Sequence, residues 1–144
     1  MTDDPDALAR ACAHAMWAED RASSGLGMQL EAVSAGHAML SMRITEMMVN
    51  GHGICHGGFI FTLADSAFAF ACNSYGERVV AQQAQITFLR PGRLGEQLRA
   101  EATERARGGR SAIYDVRVVG DDGTVVAEFR GHSRTTGRFF ATEG

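Results

Sequence analysis

The stretch NGHGICHGGFIFTLADSAFAFACNSYG, residues 50–76, decides the fold of this 144-residue chain. It begins with glycines, histidines and a cysteine, and its continuation over residues 59–72 is apolar except for Thr62, Asp65 and Ser66. This run is too short to span a membrane, which takes about 20 apolar residues. It predicts instead a central helix over residues 57–74 that is apolar nearly all round, and such a helix must be covered on every side.

The sequence on both sides of this helix changes to a period of two, which predicts strands with one buried face. The alternating apolar residues are Ala38, Leu40, Met42 and Ile44, then Val80, Ala84, Ile86 and Phe88, then Leu98, Ala100 and Ala102, then Tyr114, Val116 and Val118, and finally Val125, Ala127 and Phe129. Turn residues at 35–36, 108–109 and 121–123 join neighbouring strands, and such short connections indicate antiparallel pairs.

Asp4 and Pro5 are typical of a helix start, so an N-terminal helix is predicted over residues 5–22. The order is therefore helix, two strands, long helix and four strands. We predict a single α+β domain over residues 1–144, in which a curved antiparallel sheet of five to six strands wraps around the central helix.

Composition excludes several classes of function. The net charge is −3 and there is no run of like charges, so we expect neither nucleic acid nor membrane as a partner. All 14 basic residues are arginine, which excludes mechanisms that need a Schiff-base or Walker lysine. Three unpatterned cysteines and the lack of a signal-peptide pattern predict a cytoplasmic protein.

The glycine-rich start of the central helix allows several kinds of site. His52, Cys55 and His56 are possible metal ligands, but no second cluster completes a zinc site, so we predict no metal. A phosphate loop needs the absent lysine, and there is no Gly-x-Ser-x-Gly elbow. Cys55 has only its neighbour His56 as a possible activating base, and a small buried cysteine is the simpler interpretation.

An oxyanion hole fits better. Gly57 and Gly58 stand where the helix begins, and the first turn of a helix has unpaired N–H groups at the positive end of its dipole. Glycine lets a substrate carbonyl approach these groups closely. The alternative is that the glycines only serve turn geometry.

Asp65 is the second unusual feature, because carboxylates are almost never fully buried without partners. Thr62, Asp65, Ser66 and Asn73 fall on one stripe of the helix and form a polar seam. Either the seam holds a catalytic carboxylate, or it is a satisfied structural network or a solvent-facing stripe. The spacing leaves these alternatives open.

Asp65 follows Gly57 by eight residues, which places them about 12 Å apart along a helix axis. A catalytic base must act about 3 Å from the reacting group, so one chain cannot easily bring both to the same carbonyl. If both are catalytic, a twofold homodimer must share its sites, with the carboxylate from one subunit and the amide from the other.

The motif NGHGICHGGFIFTLADSAFAFACNS, together with ITFLRPG, SAIYDVRVV and VAEFRGHSR, resembles the hotdog-fold acyl-CoA thioesterases of the phenylacetate-degradation (PaaI) group. The resemblance runs from about residue 15 to 134. It implies hydrolysis of acyl-CoA, with phenylacetyl-CoA or its ring-hydroxylated forms favoured, to free acid and CoA. It also implies that no cofactor is needed and that two dimers associate into a homotetramer.

The resemblance assigns roles to residues of the motif. Asp65 is implied as general base or nucleophile, Gly57 as oxyanion donor, Asn50 as the residue that holds the water or thioester, and His56 as an orienting group. Gly58 is expected beside the substrate. Contacts with coenzyme A are implied for Arg90, Pro91, Gly109, Arg110 and Ser111, although Ser111-Ala112 replaces a common Thr-Gly pair. For both arginines, the alternative is solvated surface.

Two rival functions remain. A hotdog dehydratase for 3-hydroxyacyl thioesters pairs an acid with a histidine in a different motif. A non-catalytic acyl-CoA sensor would use the fold as a ligand pocket, and the retention of Asp65 and Asn50 argues against it.

Overall fold

The computed structural model of the protein describes residues 4–138, and its elements follow the predicted order. The helices are α1 (Pro5–Glu19), α2 (Arg21–Gly25) and α3 (Gly57–Cys72), with a short 3₁₀ turn at Glu46–Met48. The strands are β1 (Gln29–Ser34), β2 (His37–Arg43), β3 (Glu77–Phe88), β4 (Gln97–Gly108), β5 (Ser111–Val119) and β6 (Val125–Arg138). The predicted central helix at residues 57–74 thus ends two residues early, because Asn73 leaves helical geometry and caps it.

The six strands form one antiparallel sheet in the order β1-β2-β4-β5-β6-β3. Helix α3 packs mainly against β2, β4 and β5, in the middle of this order. The predicted alternation correctly identifies the buried face of these three strands: Ala38, Leu40, Met42, Leu98, Ala100, Ala102, Val116 and Val118 are fully buried. The α+β architecture predicted from the sequence is therefore present, with six strands.

The aromatic core lies where α3 meets β5 and β6. The ring of Phe68 packs edge-on against Tyr114 at 5.7 Å and tilted against Phe129 at 5.8 Å. Gly131 makes this approach possible, since a Cβ at that position would lie 2.8 Å from the Phe68 ring. A glycine in the middle of β6 therefore lets the central helix sit close to the sheet.

The N-terminal helix differs from the single helix predicted over residues 5–22. Asp4 caps α1 as expected, accepting a hydrogen bond from the N–H of Asp6. Asp20, however, adopts an extended conformation (φ −84°, ψ 95°), which ends α1 and caps α2. The single-helix prediction is wrong because Asp20 uses its carboxylate to accept hydrogen bonds from Ser23 instead of continuing the helix.

Strand β3 is longer than predicted, and its apolar face is not buried within the chain. Val80 and Phe88 are each 48% exposed, whereas Ala84 and Ile86 are half-buried. The reason is the position of β3, which pairs only with β6 and forms one edge of the sheet. The expectation of a covered face therefore fails at β3 alone among the strands beside α3.

Candidate active site at the first turn of the central helix

The loop before α3 is held in place by the connection between β3 and β4 and by the 3₁₀ turn at Glu46–Met48. The N–H of Cys55 donates to the carbonyl oxygen of Gly92 at 2.8 Å, and the N–H of His56 donates to the carbonyl oxygen of Met48 at 2.8 Å. His56 then adopts an extended conformation (φ −60°, ψ 134°) as the N-cap of α3. These backbone bonds fix the direction in which the first turn of the helix points.

Gly57 is the first residue of α3, and no residue in the described part of the chain accepts a hydrogen bond from its N–H or from that of Gly58. A Cβ at position 57 would lie 2.7 Å from Cζ of Phe88, so any larger residue there would have to displace that half-exposed ring. At Gly58 a Cβ would meet nothing within 4 Å. The helix therefore begins with two unpaired donors at the positive end of its dipole, as an oxyanion hole needs.

A groove of about 480 Å³ runs past this helix start. Its lining residues are Ile54, Cys55, Gly57, Ile60, Phe88, Leu89, Arg90 and Pro91. Three residues predicted from the sequence, Gly57, Arg90 and Pro91, thus meet in one groove. The apolar lining from Ile60 and Phe88 was missed, and only the adjacency of Phe88 to the Leu-Arg-Pro motif hinted at it.

Asn50 and His56 lie in the loop that leads to the groove. The Asn50 Oδ1 accepts from the N–H of His52 at 2.9 Å and from the N–H of Ile54 at 3.2 Å, so this side chain organises the loop. The side chain of His56 is exposed and makes no capping bond to the helix. Burial raises the pKa of Cys55, which favours the unreactive thiol expected of a small packed cysteine.

Asp65 lies in the middle of α3, two turns beyond the groove. Its side chain is half-buried, and none of the described residues donates a hydrogen bond to its carboxylate. Burial raises the pKa of Asp65 above its ordinary value. Burial raises the pKa of Cys72 to about 12, and the negative charge of Asp65 contributes to this rise. Asp65 is therefore a partly desolvated carboxylate that has no hydrogen-bond partner among residues 4–138.

The other members of the predicted polar seam are satisfied structurally. The Thr62 hydroxyl donates to the carbonyl oxygen of Gly58 at 2.8 Å, and Ser66 shares a hydrogen bond with Ser23 at 2.8 Å. Asn73 joins the end of α3 to Val79 with two hydrogen bonds: its Nδ2 donates to the carbonyl oxygen of Val79, and its Oδ1 accepts from the N–H of Val79. The seam thus separates into three structural residues and one carboxylate with no structural partner.

The side chain of Arg90 is hydrogen-bonded to the loops around it. Its Nε donates to Thr124, Nη1 to Glu96 and the carbonyl oxygen of Pro91, and Nη2 to Glu96 and Asp122. Each of its three nitrogens is therefore engaged within the chain. The side chain therefore ties the groove wall to the turn after β5 and is not simply solvated surface, while its contact with coenzyme A stays a prediction.

Gly109, Arg110 and Ser111 lie away from the groove, at the turn between β4 and β5. They line a small cavity of about 30 Å³ beyond the opposite end of α3, together with Tyr75 and Arg107. The Arg110 side chain is exposed, and no side-chain partner for it occurs among residues 4–138. Within one chain, the predicted coenzyme A residues are therefore divided between two places.

Two further features bear on the kind of site. Residues 4–138 contain no group of three or more His, Cys, Asp or Glu side chains placed to hold a metal ion. Among the same residues, no helix combines the length and apolar character needed to cross a membrane.

Comparison with known proteins places this geometry in a family. The thioesterase superfamily matches residues 52–127, which include the glycine-rich loop, α3 and most of the sheet. The acyl-coenzyme A thioesterase PaaI of Escherichia coli is 44% identical over 125 residues, covering 87% of this chain and 89% of that protein.

Solved structures agree with the sequence match. The E. coli PaaI protein from the phenylacetic acid degradation operon superposes with a TM-score of 0.92 at 41% identity, covering 94% of this chain and 99% of that one. A Streptococcus mutans protein bound to acetyl CoA gives a TM-score of 0.74 at 27% identity, over 77% and 90% of the two chains. With its fold, its unpaired helix start and these matches, the chain belongs to the thioesterase superfamily, as a hotdog-fold acyl-CoA thioesterase of the PaaI group.

Proposed function

We propose that this thioesterase hydrolyses aryl-acetyl-CoA thioesters at sites shared between two subunits, each site combining Asp65 of one subunit with the Gly57 amide of the other. One observation carries the proposal: a single rigid helix has unpaired N–H groups at its start and a desolvated, partnerless carboxylate in its middle. Along that helix the two groups are about 12 Å apart, too far to act on one carbonyl.

The helix start supplies the electrophilic half of the site. As water or the Asp65 carboxylate adds to the thioester carbonyl, negative charge develops on the carbonyl oxygen, and the N–H of Gly57 donates to it. Preorganised donors of this kind lower the barrier by about 2.7–4 kcal/mol each. Gly58, whose surroundings are open, adjoins the thioester, and His56 orients the group beside the hole.

Asp65 supplies the other half. As a general base, its carboxylate takes a proton from water while the water oxygen attacks the carbonyl carbon and the CoA thiolate leaves. As a nucleophile, it forms an acyl anhydride with loss of CoA thiolate, and water then opens the anhydride. Burial raises the pKa of Asp65 and so makes it a stronger base in either route. Asn50, held by its loop, is proposed to position the water or the thioester.

The sheet edges support the twofold dimer. At one edge, β1 has six residues and an irregular register between Leu30 and Ala32, and α1 packs against it, which are devices that protect an edge. At the other edge, β3 has twelve residues and leaves Val80 and Phe88 half exposed. Pairing of β3 with a second copy would cover these side chains and bring each Asp65 towards the partner's helix start.

Coenzyme A contacts follow from the same arrangement. We propose that Pro91 and the apolar groove wall hold the arm next to the thioester, and that Arg90 supports this wall without touching phosphate. Gly109, Arg110 and Ser111 are proposed to meet the nucleotide end, where the guanidinium group of Arg110 has no side-chain partner among residues 4–138 and can bind an anion. The acetyl-CoA-bound S. mutans relative supports CoA binding by this fold.

The aryl-acetyl preference is supported by the E. coli relative, whose structure is described as coming from the phenylacetic acid degradation operon. We propose that the reaction proceeds in the cytoplasm, without a cofactor, in a dimer of dimers.

The test is release of free thiol from a panel of acyl-CoAs, including phenylacetyl-CoA, a ring-hydroxylated phenylacetyl-CoA and acetyl-CoA. We expect Asp65→Asn to lose at least about 10²-fold in kcat, the scale of a removed acid–base group. Glu101→Gln, which removes a carboxylate from the outer face beside His37, serves as the control. Equal rates for Asp65→Asn and wild type would refute the role of Asp65, and no release from any thioester would favour a sensor.

A further inference from the structure

A chain of three side chains connects α3 to the N-terminal helices next to Asp65. The hydroxyl oxygen of Ser66, the residue after Asp65, lies 2.8 Å from the hydroxyl oxygen of Ser23. The Ser23 hydroxyl donates to Oδ2 of Asp20 at 2.7 Å, and the Ser23 N–H donates to Oδ1 at 2.9 Å. Ser23 is only 1% exposed, so the middle of the chain is closed to water.

The direction of these hydrogen bonds follows from counting protons. A serine hydroxyl has one proton, and Ser23 gives its proton to the Asp20 carboxylate, which can only accept when ionised. The bond between the two serines therefore requires Ser66 to donate to Ser23. Because the chain ends on a charged acceptor, its bonds are stronger than those between neutral groups.

Within residues 4–138, the Ser66–Ser23 bond is the only hydrogen bond from a side chain of Gly57–Cys72 to another helix or strand, while the C-cap Asn73 ties the far end of α3 to Val79. The rest of α3 meets the protein through apolar contacts, such as Phe68 against Tyr114 and Phe70 against Trp17. The hydrophobic effect behind these contacts is non-directional, whereas a hydrogen bond has a preferred geometry. A directional bond one residue from Asp65 therefore restrains the rotation that aims its carboxylate.

The N-terminal segment also follows α3 towards Asp65. The Cys12 thiol meets the backbone of Gly76, Trp17 packs beside Phe70 with ring centroids 6.1 Å apart, and Ser23 meets Ser66. The break at Asp20, which the sequence did not predict, is what brings Ser23 into contact with α3.

We infer that Asp20, Ser23 and Ser66 are positioning residues for hydrolysis: they hold the N-terminal helices against α3 and fix the direction in which Asp65 points. The inference rests on the proposed role of Asp65. It gives α2 a function in catalysis, although none of the three residues is placed to touch the thioester.

The test compares Ser66→Ala and Ser23→Ala with Ser24→Ala in thiol release from phenylacetyl-CoA. Ser24 is a matched control, because its exposed hydroxyl donates only to backbone carbonyl oxygens of Asp20 and Arg21. We expect kcat to fall about tenfold for Ser66→Ala and for Ser23→Ala with KM within about twofold, since misplaced catalytic groups lose rate rather than binding. The double variant should fall no further than either single one.

Two measurements separate positioning from stability. Ser66→Thr keeps a hydroxyl at a half-buried site and should recover most of the lost kcat. Urea unfolding of each variant allows kcat to be expressed per folded protein. A Ser66→Ala variant that is less stable but has wild-type kcat per folded protein would overturn the inference, as would additive losses in the double variant. An inactive wild type would overturn both this inference and the proposed function, whereas an active wild type with unaffected variants would overturn this inference alone.

Discussion

The two ends of α3 differ in whether their polar groups have hydrogen-bond partners. At the start, the N–H groups of Gly57 and Gly58 have no acceptor among the described residues, and the neighbouring His56 side chain is exposed. At the far end, Asn73 binds Val79 twice, and Ser74 binds Ala71 and Gly36. One end is left incomplete while the other is closed by side chains.

The difference indicates which end serves function and which serves stability. The first N–H groups of any helix lack an intrahelical partner and are satisfied by side chains, water or a ligand, so a start without a side-chain cap is open to a ligand. The far end is strengthened further by Tyr75 and Tyr114, whose hydroxyls both donate to Oε1 of Glu104. We therefore expect substitutions at the start of α3 to affect rate, and those at the far end to affect unfolding.

The largest expected effect is that of Gly57→Pro. Proline suits the first position of a helix but has no N–H, so the oxyanion donor is removed and kcat should fall at least about 10²-fold. Gly57→Ala is the matched comparison, because it keeps the N–H while also pressing on Phe88. Steady-state thiol release measures both. If Gly57→Ala loses as much as Gly57→Pro, the contact with Phe88 and not the missing donor explains the loss.

At the far end, Asn73→Ala should reduce the free energy of unfolding by about 1–2 kcal/mol, since it removes both hydrogen bonds to the part-buried backbone groups of Val79. We expect kcat per folded protein to stay within about twofold of wild type. Urea unfolding followed by circular dichroism measures the first quantity and thiol release the second. A large loss of kcat without loss of stability would reverse the assignment of the two ends.

The smallest effect concerns Asp65 and pH. Since burial raises the pKa of Asp65, the ionised form is disfavoured by folding, and its cost is present at pH above the raised pKa and absent below the ordinary pKa of about 3.9. Asp65→Asn should therefore have a Tm a few degrees above that of wild type at pH 7, a difference that disappears near pH 3.

Lowering the pH should relieve the cost of Asp65 to stability but should reduce the activity of the wild type. The reaction needs the ionised carboxylate, so kcat/KM should fall as pH drops through the raised pKa, above the range of an ordinary aspartate. A Tm for Asp65→Asn below that of wild type at pH 7 would mean that Asp65 has a stabilising partner.

Alternation along the strands predicts burial well where the strand lies over α3. Leu40, Ala100 and Val116 are buried as the period of two requires. The same rule fails for Val80 and Phe88, because alternation identifies an apolar face but not what covers it, and β3 is an edge strand. The failure is informative, since it marks the surface that a second copy is proposed to cover.

The candidate site shows a similar division. Asp65 and Gly57 could be selected from the sequence because each breaks a local rule: a carboxylate in an apolar run, and glycines at a helix start. The contact of Phe88 with Gly57, and the bond of Ser23 to Ser66, join residues 31 and 43 positions apart in the chain, and only the fold brings them together. The break at Asp20 could not be predicted from the sequence for the same reason, because it brings Ser23 into contact with Ser66 of α3.

The measurement that tests the shared site most directly is complementation between two inactive variants. Asp65→Asn and Gly57→Pro are co-expressed in equal amounts, and thiol release is compared with each variant alone and with wild type. If each site takes Asp65 from one subunit and the Gly57 amide from the other, random pairing restores about one quarter of the wild-type activity. Activity no higher than the average of the two variants alone would contradict the shared site and place both groups in a single chain.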